Sequence, residues 1–210
     1  MKPESDCVDT SQVEGNASSA VKHALLSSLQ SMKTSHVSRP TGKPFRGFEA
    51  EFTSWLQLTE VSVLPKAEEP EKLEGRVVFE ATVDEDMLNF AGTLHGGCLA
   101  MMIDMHVSST HFWLELIRIC SCSTSPIYVL GASTSGRGVF GVSQSLNIVY
   151  HSPALTGDKL HIVNTTLTLG SRALSTRCEV WNVTRHRLVA SAVHINMVPS
   201  EPKASKSAKL

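Results

Sequence analysis

Along the second half of the chain, hydrophobic residues recur with period two; before it comes one stretch with no polar face at all. Phe140, Val142, Leu146, Ile148 and Tyr150 alternate with Ser143, Ser145, Asn147 and His151, and Ser152-Pro153 closes that strand. Three further runs follow at 160–169, 173–183 and 187–198, with turns at Gly170-Ser171 and at 184–186. Connections of this hairpin-like kind imply an antiparallel meander, because parallel strands need crossovers of a dozen residues or more. Upstream, Val77, Phe79, Ala81 and Val83 alternate with Arg76, Glu80 and Thr82 as a half-buried strand, and Leu56, Leu58, Val61, Val63 and Leu64 suggest another. A short helical turn is expected at 84–88.

The apolar stretch lies between these sets. From about His95 to Ile117 the spacing predicts one long helix, with Cys98, Leu99, Ala100, Met101, Met102, Ile103, Met105, Val107, Phe112 and Trp113 around it. A helix lacking a polar face is wrapped by the protein. Asp104 sits in its middle, where a carboxylate is costly unless it is paired, hydrogen-bonded or open to a cleft. Residues 118–138 are rich in Ser, Thr, Gly and Cys; the short apolar piece 127–130 reads as the start of a strand and 133–138 as a loose loop. The order permits an α+β fold, an antiparallel sheet of five to six strands wrapped round one long central helix.

At the ends the character changes. Residues 1–19 are acidic, Ser-rich and poor in apolar side chains, as disordered tails are. Val21, Leu25, Leu26, Leu29 and Met32 then form a short amphipathic helix capped by Ser18 or Ser19, and Pro40, Gly42, Pro44 and Gly47 mark a linker. The expected division is 1–47 as N-terminal tail, helix and linker, 48–199 as the folded domain, and 200–210 as a disordered basic tail. A formal net charge of −1 advertises neither nucleic acid nor an anionic membrane as partner. The five cysteines lack framework spacing and no secretory signal precedes them, so free thiols in a reducing compartment are expected and the N-x-S/T sequons carry little weight. The apolar stretch is interrupted by Asp104, His106 and His111, so no membrane insertion is expected. The terminal Ala208-Lys209-Leu210 resembles a peroxisomal address, which makes the expected location peroxisomal or cytoplasmic, with the mitochondrion also open.

Two features of the helix carry chemistry. Gly96-Gly97 opens it, exposing unsatisfied backbone N–H groups and the positive end of the dipole where an anion, or a carbonyl oxygen about to become one, can bind. Asp104 can act as general base on water or as nucleophile. On an ideal helix the nine residues from His95 to Asp104 give about 900° of rotation and about 13.5 Å of rise, so the two side chains of one copy face opposite ways. Two copies with antiparallel helices about a two-fold axis bring His95 of one against Asp104 of the other, giving two composite sites. The parts add up to acyl transfer to water.

At these residues the sequence resembles the hotdog-fold acyl-CoA thioesterases, and the PaaI-like subfamily in particular. The resemblance rests on Asn89, Gly92-Thr93-Leu94-His95-Gly96-Gly97, Asp104, Gly141-Val142-Ser143, the run Asn147-Ile148-x-Tyr150-x-Ser152-Pro153-Ala154, and Gly157-Asp158, and it covers roughly 52–198. It implies thioester hydrolysis of an acyl-CoA substrate with no metal or bound cofactor, by a homodimer that pairs sheets edge to edge, sometimes as a dimer of dimers. Carried over, the Gly96 N–H with Asn89, His95 and Gly97 holds the thioester carbonyl, while the partner's Asp104, helped by Ser143, activates water. The CoA arm then lies along Tyr150, His151, Ser152, Pro153 and Ala154 and the turn containing Gly170 and Arg172. Departures are Ser145, where relatives often carry an acid, Gly-Ser-Arg at 170–172, where a Lys is common, and the long 120–138 segment.

Blander assignments compete with each of these. His95 can simply cap the helix, Asp104 can be a hydrogen-bonded structural acid, and Ser143, His151, His161 and His194 can be ordinary strand residues. Cys98, His106 and His111 read as helix packing, and Cys120-x-Cys122 lacks the second ligand pair of a zinc site. A hotdog hydratase or dehydratase, a non-catalytic acyl-CoA-binding protein and a structural dimerisation module are the rival functions.

Overall fold

The alternating runs all become strands, because each puts its apolar set on one side. The computed structural model describes residues 9–34, 37–38, 44–45, 54–104, 125–135 and 142–197. After helix α1 (Ser19–Thr34), a two-residue pair, β1 (Val37–Ser38) with β2 (Pro44–Phe45), lies inside the predicted linker. The main sheet comprises β3 (Gln57–Pro65), β4 (Leu73–Thr82), β5 (Val142–Tyr150), β6 (Lys159–Leu169), β7 (Ala173–Asn182) and β8 (Arg187–Met197). It is antiparallel throughout, in the order β3-β4-β6-β7-β8-β5. Inward residues Phe79, Leu160, Ile162, Cys178, Val180 and Ala190 pack with Leu99, Met102 and Ile103 of helix α2 (Gly96–Asp104) in one core. Fully burying a side chain of the size of Leu99 contributes about 1.5–3 kcal/mol.

Three expectations need correction. The four C-terminal strands are not one meander: β6, β7 and β8 follow each other, but β5 leaves β6 and pairs with β8 instead. The connection 151–158 is long enough to cross the sheet end, and it is anchored on the way by Leu94 N–H to Ala154 C=O (2.9 Å), Val83 N–H to Asp158 C=O (2.9 Å) and Gly157 N–H to Val83 C=O (2.8 Å). Secondly, the piece predicted as strand and loop is helix α3 (Ser125–Ser135). Pro126 in its first turn is compatible with a helix start, and buried Ile127, Val129 and Leu130 fasten it to the core side of β4 and β6. Its Pro126 carbonyl passes so close to Gly75 that no Cβ fits there. Helix α2 is described as far as Asp104, and its predicted continuation, 105–117, lies outside the described residues.

The third correction concerns the N-terminus. Residues 9–18 are ordered against β3: Glu14 N–H donates to Thr59 C=O (2.8 Å), Val61 N–H to Glu14 C=O (3.0 Å) and Ala17 N–H to Val61 C=O (3.1 Å). The Asn16 side chain completes this by bonding both backbone groups of Val63. Ser18 caps α1 as expected, accepting from Val21 N–H, and Val21, Leu25 and Leu29 bury the apolar stripe. Residues 1–8 and the basic tail with its terminal tripeptide lie outside the described residues. Among the described residues, no helix is long and apolar enough to cross a membrane.

Asp158 locks the crossover. Its buried carboxylate accepts from Leu155 N–H (2.8 Å), Asn182 Nδ2 (2.7 Å) and Arg185 Nε (2.9 Å). Burial alone would raise its pKa, but these three donors and the Arg185 charge outweigh it and hold the carboxyl below its ordinary 3.8. The folded state therefore binds this proton less readily than the unfolded chain, so the stabilisation is complete above 3.8 and is lost as pH falls below it. Asp158→Ala should lower the unfolding free energy at neutral pH by about 2–3 kcal/mol. Urea melts at neutral and acid pH check this: wild type should lose more stability than the variant on acidification, and parallel loss would clear Asp158 of the role.

Candidate active site

The start of α2 is built by the loop before it. Asn89 turns that loop: its Oδ1 accepts from Ala91 N–H (2.9 Å) and Thr93 N–H (3.3 Å), its Nδ2 donates to Thr93 Oγ1 (2.9 Å), and Gly92 takes φ 74°. His95 N–H then bonds Met87 C=O (2.8 Å), which fixes the point where the helix begins. The His95 side chain is a cap, with Nδ1 accepting from Gly97 N–H at 2.9 Å. That bond leaves the ring proton of neutral His95 on Nε2 and occupies the Gly97 donor. The Gly96 N–H makes no hydrogen bond among the described residues, so it is a donor left at the positive end of the helix, and Gly96 is the one of the first-turn residues 96–98 that lines the cleft beside it.

A cleft of about 340 Å³ opens beside it, lined by Gly96, Leu99, Tyr150, Ser152, Pro153 and Ala154 among others. His151 also faces this cleft and bonds Ser191 Oγ through Nε2 (2.9 Å). The Tyr150 hydroxyl donates to Gly96 C=O (2.9 Å), tying the end of β5 to the helix start. The structure thus brings Gly96, Tyr150, His151, Ser152, Pro153 and Ala154 to one cleft, whereas Asn89, His95 and Gly97 shape the loop and helix start beside Gly96 without lining it.

Asp104 is elsewhere. At the far end of α2 its Oδ1 accepts from Ser143 Oγ (3.0 Å) and lies 3.4 Å from His194 Nε2. The acid expected in a costly buried position is in fact 43% exposed in its side chain, because Asp104 occupies the rim of the core. Gly170 and Arg172, in the β6–β7 turn, lie at this same end, since Leu174 and Ser143 are both opposite Asn196. Ser143 and Tyr150 stand seven residues apart on β5, about 23 Å of strand. The Gly96 cleft and the Asp104–Ser143 pair therefore lie at opposite ends of the edge strand.

Sequence reasoning passed over His194, treated as an ordinary strand residue; the available signal was a polar side chain at an inward position of β8, between Ala192 and Asn196. Among the described residues, neither cysteine is suited to act as a nucleophile. Burial pushes the Cys98 thiol up to about 11 and raises that of Cys178 further, so both stay protonated near neutrality.

A sheet laid on a central helix, with a glycine-rich helix start facing a cleft, defines a hotdog protein. A family model, the thioesterase superfamily, matches residues 91–189. Acyl-coenzyme A thioesterase 13 of Homo sapiens is 30% identical over 120 residues, covering 57% of this chain and 71% of that protein. The Mus musculus protein of the same name is 31% identical over 125 residues, with 60% and 71% covered. Among solved structures, zebra fish thioesterase superfamily member 2 superposes with a TM-score of 0.56 at 26% identity, over 83% of this chain and 98% of that one. The chain belongs to the thioesterase superfamily and is a thioesterase of the hotdog fold.

The His95 cap is directly testable. His95→Ala should lower the unfolding free energy by about 0.5–2 kcal/mol, and His95→Asn, which keeps a capping acceptor, should recover most of it. Denaturant unfolding of both variants measures this, and an unaltered His95→Ala protein would rule the cap out.

Proposed function

We propose that this protein hydrolyses acyl-CoA thioesters to a free acid and CoA, in sites shared between two copies of the chain. The observation that carries the reading is the division of labour along β5: the Gly96 N–H and its cleft at one end, the Asp104–Ser143 pair at the other. The likeness to acyl-coenzyme A thioesterase 13 supplies the substrate class. Antiparallel pairing of two β5 edges about a two-fold axis at Leu146 or at Asn147 sets Ser143 within one residue of the second copy's residue 150. That register places Asp104 of one copy across from Gly96 of the other.

In such a site the thioester carbonyl accepts from the Gly96 N–H, with the dipole of α2 behind it. Asp104 takes a proton from a water held by the carboxylate and the Ser143 hydroxyl, and the oxygen adds to the carbonyl carbon. The negative charge formed on the carbonyl oxygen is held at Gly96. When the tetrahedral species collapses, the C–S bond breaks and the proton on Asp104 passes to the departing thiolate. The CoA arm runs along 150–154, and Arg172 from the Asp104-bearing copy is placed to meet a phosphate. This scheme calls for no metal or cofactor.

Thiol release from acyl-CoA separates hydrolysis from hydration and from silent binding. Asp104→Asn should slow turnover about a hundredfold or more; unchanged turnover would refute the assignment. Gly96→Pro removes the N–H at a position where proline suits a helix, with its ring set against Tyr150, and it too should be inactive. Co-expressing the two dead variants should return about a quarter of wild-type activity, because half of the dimers are mixed and each mixed dimer has one intact site. Absence of recovery would refute the shared site.

A further inference from the structure

The loop that builds the start of α2 carries an aromatic side chain that the fold does not use. Phe90 is completely exposed, whereas the next most exposed large apolar side chain among the described residues, Val142, is 55% exposed. A half-exposed apolar residue is ordinary on a protein surface, but a bare phenylalanine forgoes the burial of one of the largest apolar side chains. Nor does the ring sit on a loose tip. Asn89 N–H donates to Thr93 C=O (2.8 Å) and Gly92 N–H to Asn89 C=O (2.9 Å), and a bridge between Leu88 and Leu94 closes the base of the loop. With the Asn89 side-chain bonds, these contacts fix residue 90 before any ligand arrives, so little ordering is left for binding to do.

Its surroundings narrow what can cover it. Leu94 N–H bonds Ala154 C=O (2.9 Å), which couples the loop to the 150–154 wall of the Gly96 cleft, the wall proposed above for the CoA arm. Leu155, 37% exposed, continues that wall past Ala154. The turn immediately before the loop carries Asp84, Glu85 and Asp86, all exposed. Carboxylates there repel phosphates and an anionic membrane surface, and they accept from an amino group. A flat neutral ring bearing an exocyclic amine suits both the aromatic face and the acidic neighbours, and within CoA that ring is adenine. The phosphates of the same molecule are left to Arg172 of the Asp104-bearing copy.

We propose that Phe90 is the stacking platform for the adenine ring of CoA, supplied by the copy whose Gly96 holds the thioester carbonyl. The proposal rests on the acyl-CoA thioesterase reading. Every base presents a π-face, so stacking of this kind adds affinity for the nucleotide end without touching the reacting atoms. Phe90 is therefore a binding residue for the leaving group and takes no part in the chemical step.

Acyl-pantetheine carries the same thioester without the nucleotide, so it separates the possible roles of this side chain. With one acyl chain on both substrates, thiol release should show Phe90→Ala raising KM for acyl-CoA about tenfold at unchanged kcat, with KM for acyl-pantetheine as in wild type. Phe90→Trp keeps a platform and should hold KM for acyl-CoA near the wild-type value. Equal changes on both substrates would overturn the proposal, because Phe90 would then serve the acyl chain or the pairing of copies; no change on acyl-CoA would overturn it too. If acyl-pantetheine turns over too slowly to measure, inhibition of acyl-CoA hydrolysis by adenosine 3′,5′-bisphosphate decides. Phe90→Ala should weaken that inhibition about tenfold, and unaltered or absent inhibition would overturn the proposal. All of these results leave the thioesterase reading standing; failure of the wild type to hydrolyse acyl-CoA would overturn both.

Discussion

Among the described residues, strand β5 is bonded to the sheet along one side only, and the proposed site depends on that asymmetry. Its last residue holds the helix start through the Tyr150 hydroxyl, and Ser143 near its beginning holds the helix end through Asp104. Helix α2 is thus strung parallel to an edge strand by a polar contact at each end. Its outer surface keeps Val142, Val149 and Tyr150 about half exposed, unusual for a strand flanked by so complete a core. The helix cannot present both chemical groups to one cleft, and the strand cannot shorten the distance between them.

Around Gly96, neighbours divide a scarce resource, the backbone donors at a helix start. Asn89 spends its amide on its own loop, and His95 takes the Gly97 donor, so one N–H is left facing the cleft. The glycines matter for space as well as for donors. The Tyr150 ring stands 3.4–3.6 Å from where a Cβ at position 96 would be, and the His95 ring 3.0 Å from a Cβ at 97. The geometry of this helix start follows from which small residues permit which close approaches.

Strands were legible in the sequence because alternation reports directly on a half-buried ribbon, as residues 76–83 and 173–183 illustrate. The helix start was legible because Gly96-Gly97 and Asp104 have few structural reasons to occur together. The neighbour order of the strands was hidden, since nothing in residues 151–158 reveals that the chain crosses the sheet to reach β6. Helix α3 was hidden too: its Ile127 and Val129 are β-branched, its flanks are Ser and Thr, and tertiary packing against β4 overrode that local preference. The exposure of Asp104 could not be read from composition, because an apolar helix sequence does not say where the helix runs off the core.

The N-terminal segment has a consequence for assembly. Residues 14–17 occupy the outer side of β3 at 59–63 with backbone and Asn16 hydrogen bonds, whereas among the described residues no strand pairs with the outer side of β5. A sheet with two bare margins can add copies at either side without limit, which is the route to fibres. In the pairing proposed through β5, growth through strand edges is self-terminating: that pairing uses the open margin, and both flanks then end on β3, where residues 14–17 already take up backbone groups at 59–63.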